Sequence, residues 1–289
     1  MDKSSMYYLK DELYRLVEKK QLSKFKMVAF DMDGTLLNSD HKLSDRTIVS
    51  IKTIADRGIL VLLATARMTS AIKNHIEKLG TSGIVVAHDG ALVKDVITGQ
   101  VYHHETIPKN LVVQLLELLE EKKTVVHFNF DEDIYLTVSN PYSNRLSQEL
   151  GVCFKYISSL KYFELTPTSI LLIDVKDVLQ HLLLTISEQF EGQFEFVMAP
   201  WQNNIWRLQF VAQNSSKGKG VLLVAKHFGI KPEEIVSFGD NYNDMDMIQK
   251  TGLGIAMRNA VPELKQVSDF VTLSNQDDGV AYVLEALFN

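Results

Sequence analysis

Six short apolar runs, separated by stretches of helical periodicity, constrain this chain more than any other feature. They fall at residues 27–30, 59–64, 84–87, 235–238, 254–257 and 270–273. Short, nearly continuous apolar runs predict strands buried on both faces, and such strands alternating with helices predict a parallel sheet covered on both sides. The spacers carry their own punctuation. Over 44–57, Ser44 supplies a capping oxygen, Ile48, Ile51, Ile54 and Ala55 form one stripe, and Gly58 ends the helix. Further helices are expected over 69–79, stopped by Gly80, and over 218–228, stopped by Gly229.

Between Ala91 and about Trp206 the texture changes. The stretch ALVKDVITGQVYHHETI reads as a hairpin turning at Thr98-Gly99, followed by a helix with Pro108 near its first turn and leucines through Leu119. Strand-like runs at 124–130, 134–138 and 169–175, with a helix near 178–190, complete a second α/β lobe inserted into the first. The expected organisation is an amino-terminal helical extension over 1–26, a Rossmann-like core from 27–92 and 207–289, and an inserted α/β cap domain over 93–206. A chain of 289 residues, 46% hydrophobic, has enough apolar material for two such lobes.

In the extension, Leu9, Leu13, Leu16 and Val17 form one stripe of an amphipathic helix, expected to pack on its own domain, and the mixed charges there do not read as a secretory signal. Nothing approaches the roughly 18–20 apolar residues that span a bilayer, so no membrane partner is expected. A formal net charge of -6 without a basic stripe argues against nucleic acid. The single cysteine, Cys153, excludes a disulfide framework and a thiolate zinc cluster, and suits a reducing cytoplasm.

The chemistry concentrates where the apolar runs end. In MVAFDMDGTLLNSD, Asp31 and Asp33 leave the first strand together. At the carboxyl end of a parallel strand the chain turns into a loop, where both carboxylates can reach one crevice. Two acids so close repel each other unless a hard cation offsets them, and Mg2+ leaves places for water and phosphate. One carboxylate could then attack phosphorus while the other gives and takes the proton. A calcium loop fails as the alternative: with Gly34 as its glycine the first ligand position would be Ala29, and helices, not a strand, would have to flank it.

A second acid, Asp240 in IVSFGDNYNDMDMIQKTG, also follows an apolar run, and Asn243 and Asp244 open a helix behind it. If the two strands are neighbours, Asp240 completes a metal site with Asp31 and with the carboxylate or main-chain oxygen of Asp33, and Asp244 braces it. In ILVLLATARMTSA the run ends at Thr65, whose hydroxyl and following backbone N–H groups can bind phosphate oxygens. In VAQNSSKGKGVLLVAKHFG, Lys217 stands at another helix start, able to counter charge that builds up in phosphoryl transfer. Each segment alone is a weak signal. Their order along the chain is not.

Taken together, DMDGTLL, LLATAR, SSKGKGV and GDNYNDMDM, with the tail GLGIAMRNAVPELKQVSDFVTLSNQDDGVA, resemble the four motifs and carboxyl-terminal pattern of the haloacid dehalogenase-like phosphatases, Cof-type, from Lys26 onward. The resemblance implies that Asp31 is the nucleophile forming an aspartyl-phosphate, and that Asp33 is general acid and then general base. It implies Mg2+ held by Asp31, the main-chain oxygen of Asp33, and Asp240. Phosphate would meet Thr65, Lys217, Asn243 and backbone N–H groups near Met32 and Ala66, with Asp244 in a supporting place. Two positions depart from the family pattern: Ala66 replaces a glycine, and Asp89, in HDGA, replaces an asparagine.

The expected protein is therefore a Mg2+-dependent phosphatase for a small phosphorylated metabolite: a sugar phosphate, a phosphorylated cofactor or a flavin precursor. Its cap would exclude water and choose the leaving group. A sugar phosphomutase and a non-catalytic phosphometabolite-binding protein are the rivals, and the Asp31, Asp33, Lys217 and Asp240 set speaks against the latter. Trp201 and Trp206, in WQNNIWRLQF, read as packing or hinge residues rather than substrate contacts.

Overall fold

The computed structural model describes residues 3–20, 22, 24–122, 124–136, 138, 140–157, 166–202 and 204–288. It forms two units, one of Met1–Thr65, Asn74–Tyr102 and Ser216–Asn289, the other of Ala66–Lys73 and His103–Ser215.

The first unit opens with α1 (Lys3–Lys19). Its Leu13 is fully buried, and the Tyr14 hydroxyl donates to the Ala286 carbonyl at 3.1 Å. Strand β1 (Met27–Phe30) is buried throughout. Helix α2 (Asp45–Asp56) is capped by the Ser44 hydroxyl, which accepts the Thr47 N–H at 3.1 Å, and it leads to β2 (Leu60–Ala64). The helix expected over 69–79 is broken into a 3-10 turn, Thr69–Ala71, and α3 (Lys73–Leu79). Thr69 and Ser70, which favour caps and turns over helix interiors, stand at that break. After β3 (Ile84–Ala87), a hairpin of β4 (Leu92–Asp95) and β5 (Val101–His104) turns where Asp95 Oδ1 accepts the N–H groups of Ile97 and Thr98.

The second unit contains α4 (Lys109–Lys122), β6 (Val126–Phe130), β7 (Asp133–Leu136), α5 (Pro141–Leu150), β8 (Phe154–Tyr156), β9 (Ser169–Val175), α6 (Lys176–Gln189), β10 (Phe194–Gln202) and β11 (Ile205–Ala212). Its six strands lie in the order β10-β11-β9-β6-β7-β8. Leu115, Phe128, Ile170, Leu172, Leu208 and Phe210 share its core. The return to the first unit falls after Ser215, not at the expected residue 207, because β11 is hydrogen-bonded between β9 and β10. At the other end, the β4–β5 hairpin extends the sheet of the first unit, so the departure expected at residue 93 moves to His103. Trp201 donates from Nε1 to Glu149 Oε2 at 2.7 Å, and Trp206 packs on the core of this unit; Asn203 lies outside the described residues.

The chain then completes the first unit with α7 (Lys217–His227), β12 (Ile235–Gly239), α8 (Met245–Lys250), β13 (Leu253–Ala256), α9 (Pro262–Val267), β14 (Phe270–Val271) and α10 (Gly279–Phe288). The sheet runs β14-β13-β12-β1-β2-β3-β4-β5, parallel from β14 through β3 and antiparallel at β3/β4. Met27 and Ala29 pack with Val221 and Val224 of α7, while Val28 and Phe30 alternate to the opposite face and are equally buried. This is the Rossmann-like α/β fold that the alternation of runs predicts. β1 pairs with β12 in a register that sets Phe30 beside Phe238, so the two strands release Asp31 and Asp240 at the same edge. Among the described residues no helix is long and apolar enough to cross a membrane.

Candidate active site

Asp31 leaves β1 with its backbone N–H donated to the Phe238 carbonyl at 3.0 Å, which fixes it at the carboxyl edge of the sheet. It is almost wholly buried, as is Lys217 at the first turn of α7. Lys217 Nζ donates to Asp31 Oδ1 at 2.6 Å and to Asp244 Oδ1 at 2.7 Å. The other oxygen of Asp244 accepts the backbone N–H groups of Asp240 at 2.9 Å and Asn241 at 3.0 Å. Both oxygens of Asp244 are thus engaged, one orienting the lysine and one holding the turn after β12. That suits the supporting position expected for it.

Asp240 accepts the Thr35 hydroxyl at 3.1 Å. Gly34, at φ +87°, lies so close to the Asp240 carboxylate that a Cβ would collide with it, so both the backbone conformation and the space require glycine. Asp31, Asp240 and Asp244 each offer an oxygen within 4.8 Å of the others. Burial drives the Asp31 carboxyl well above the usual carboxylate range; Lys217 opposes this, while Asp244 and Asp240 add to it. Asp240 is pushed up to about 7, first by burial and then by Asp244. For Lys217, burial works to lower the pKa but is overcome by Asp244 and Asp31, which hold it well above its ordinary value.

A hard divalent cation fits this donor set. The groups are oxygens, negative charge exceeds the one buried lysine, and Asp31 Oδ2 is buried without a hydrogen-bond donor. Asp244 has both oxygens in hydrogen bonds, to Lys217 and to two backbone N–H groups, which favours Asp31 and Asp240 as the side-chain ligands. Asp33 is different: its side chain is 38% exposed, with Oδ1 3.5 Å from His41 Nδ1. Two carboxylates two residues apart therefore occupy opposite environments, one buried against a lysine and one open to water. Such separation lets neighbouring acids take different roles.

The remaining expected residues lie nearby or are tied elsewhere. Thr65, at the end of β2, is buried; its N–H donates to Val86 and its carbonyl accepts the Asp89 N–H at 3.0 Å. Asn243 donates from Nδ2 to Asp89 Oδ1 at 2.7 Å, so Asp89 links the Thr65 and Asn243 segments. Burial raises the Asp89 carboxyl, opposed by Lys217 and by the Asn243 bond. Met32 has a buried side chain, and its carbonyl accepts the N–H of Leu37 at 2.9 Å. Ala66 groups with the second unit, where its carbonyl accepts Gln209 Nε2 at 3.2 Å. Sequence reasoning passed over Thr35 and His41. The position of Thr35, directly after the glycine that cradles Asp240, was a usable signal; nothing in the sequence marked His41.

Residues 28–284 match the family model described as haloacid dehalogenase-like hydrolase. Phosphatase YwpJ of Bacillus subtilis (strain 168) is 29% identical, over 91% of this chain and 99% of its own length. 5-Amino-6-(5-phospho-D-ribitylamino)uracil phosphatase YitU of the same organism is 24% identical, over 91% and 97%. The crystal structure of TM0651 from Thermotoga maritima superposes with a TM-score of 0.80 at 29% identity, covering 92% of this chain and 98% of that one. The chain belongs to the haloacid dehalogenase-like hydrolases. Within that family it is a phosphomonoester hydrolase.

Proposed function

We propose that this protein is a Mg2+-dependent phosphatase that hydrolyses a small phosphorylated metabolite through an aspartyl-phosphate on Asp31. The observation that carries the proposal is the state of Asp31: buried, with one oxygen fixed by Lys217 and the other without a donor. Attack of the Asp31 carboxylate on phosphorus forms an acyl-phosphate bond as the ester P–O bond breaks, and Asp33 donates its proton to the departing alkoxide. Water then attacks the same phosphorus, Asp33 takes its proton, and the Asp31 carboxylate is released with phosphate. The partial exposure of Asp33 suits a group that must exchange protons with water. Lys217, Asn243, the Thr65 hydroxyl and the backbone N–H near Met32 would hold the phosphate oxygens.

Asp31, Asp240 and the main-chain oxygen of Asp33 would hold Mg2+, which when bound supplies positive charge against the negative charge that phosphoryl transfer develops. The substrate classes favoured are sugar phosphates and phosphorylated cofactors or flavin precursors, and the last is supported by the relative named for a ribityl-phosphate uracil. The test is phosphate release across sugar phosphates, nucleotides, FMN, pyridoxal phosphate and the ribitylaminouracil phosphate, with Mg2+ and with EDTA. Metal-dependent release that disappears in Asp31→Asn is the expected result. Release from nothing in the panel, or release indifferent to EDTA, would contradict the reading.

A further inference from the structure

Between β3 and β4, His88, Asp89 and Gly90 take φ values of +48°, +51° and +95° in succession. Two consecutive non-glycine residues in the left-handed region are strained, and such strain persists where surrounding contacts over-determine it. Here they do. The Asp89 N–H is held by the Thr65 carbonyl, and Gly90 is pressed so closely on the backbone of Ser216 that a Cβ would collide with it. Ser216 is the cap of α7, and Lys217 is the next residue. The turn therefore joins the end of β2 to the start of the helix that carries the lysine, and it presents a buried carboxylate to the Asn243 amide.

We infer that Asp89 is a positioning residue of the phosphate site, its carboxylate fixing the Asn243 amide while its charge moderates how tightly Lys217 holds an anion. The inference rests on the phosphatase reading above. The two parts of the role are chemically separable. An asparagine at position 89 would still offer a carbonyl oxygen to Asn243 Nδ2 but would bring no charge; an alanine would bring neither. The packing of Gly90 on Ser216 holds the turn that carries Asp89 against the start of the lysine's helix, and Asp89 is among the charges that raise Lys217, after Asp244 and Asp31. A carboxylate so placed opposes a phosphate dianion at the same lysine. It keeps phosphate binding loose enough for product to leave.

The test compares Asp89→Asn and Asp89→Ala in the Mg2+-loaded full-length protein, reading inorganic phosphate binding by calorimetry alongside KM and kcat for the best substrate. In Asp89→Asn, phosphate should bind roughly tenfold tighter and KM should fall, the scale of one charge-assisted interaction. In Asp89→Ala, which removes the same charge and also the tether of the Asn243 amide, phosphate should bind roughly tenfold weaker than in Asp89→Asn. That difference between the two variants should vanish on an Asn243→Ala background, with melting curves of wild type and each variant checking that it folds. Tighter phosphate in Asp89→Asn, with Asp89→Ala roughly tenfold weaker than that variant, supports the inference. The two variants behaving alike, or a wild-type enzyme that turns over while neither variant moves phosphate affinity, overturns it and leaves the phosphatase reading standing. A wild type that neither binds phosphate nor turns over removes both. Should Asp89→Ala fail to fold, the Asn243→Ala variant decides: it must weaken phosphate in the Asp89 protein, and unchanged phosphate affinity there overturns the inference.

Discussion

At the scale of single residues, the site works by giving identical side chains different surroundings. Asp31 and Asp33 start with the same carboxylate chemistry; one is buried against Lys217 and the other lies in a half-exposed loop, the surroundings that the proposed mechanism asks of a nucleophile and of a proton carrier. Asp31→Asn removes the nucleophile while keeping its shape and the bond from Lys217, so turnover should vanish with the melting temperature little changed. Near-normal turnover would exclude covalent catalysis at this position. Asp33→Asn should lose about 10²–10⁴ in kcat, the usual share of general acid–base catalysis, with Mg2+ binding retained. Unchanged kcat would remove Asp33 from proton transfer. Gly34→Ala places a Cβ at φ +87° against the Asp240 carboxylate. It should destabilise the fold by about 1–2 kcal/mol and raise the Mg2+ concentration needed for half-maximal rate; a variant with wild-type melting and metal dependence would show that the loop adapts.

At the scale of elements, what was legible in the sequence was what is local. β1, β3 and α2 follow from continuous apolar runs and a serine cap, and the acids at the strand ends stand out because each breaks an apolar run. The β10–β11 pair was not legible. The boundary expected after residue 206 falls inside it; β10 lies at the edge of its sheet, where Pro200 is tolerated, and Asn204 takes φ +63° in the hairpin turn. Nor could sequence pair Asn243 with Asp89, 154 residues apart, or Thr35 with Asp240, 205 apart; only the fold makes them neighbours. In the second unit His127 is fully buried between the Leu171 carbonyl at 3.1 Å and Ser143 Oγ at 2.9 Å, joining α5 to the sheet. Burial lowers it to about 4 from an ordinary 6.5. A histidine whose folded pKa is depressed stabilises the fold above the unfolded value and loses that stability as the pH falls from about 6.5 towards 4. The contribution of His127 to the unfolding free energy should therefore decline by up to about 1.4 kcal/mol per pH unit in that window. His127→Gln should flatten the slope; an equal slope in the variant would place the acid sensitivity elsewhere.

At the scale of the whole molecule, the buried acids tie metal, pH and stability together. The folded pKa of Asp240, about 7, lies above its ordinary 3.8, so folding favours the protonated form. The stability associated with it is whole below about pH 4 and is lost as the pH rises through about 7. A divalent cation needs the ionised carboxylates and reverses the penalty. In EDTA the contribution of Asp240 should lower the melting temperature between about pH 4 and pH 7, and the increase on adding Mg2+ should be larger at about pH 7 than at about pH 5; an equal increase at both would dissociate Asp240 from the metal. All of this serves one claim, that Asp31 carries the phosphoryl group in transit. The direct measurement is to quench the enzyme during turnover, reduce it with borohydride, and identify the modified residue by peptide mass spectrometry. An aspartyl-phosphate at position 31 is converted to homoserine, and that is the predicted result. Turnover with Asp31 unmodified, or homoserine at any other aspartate, would contradict the account.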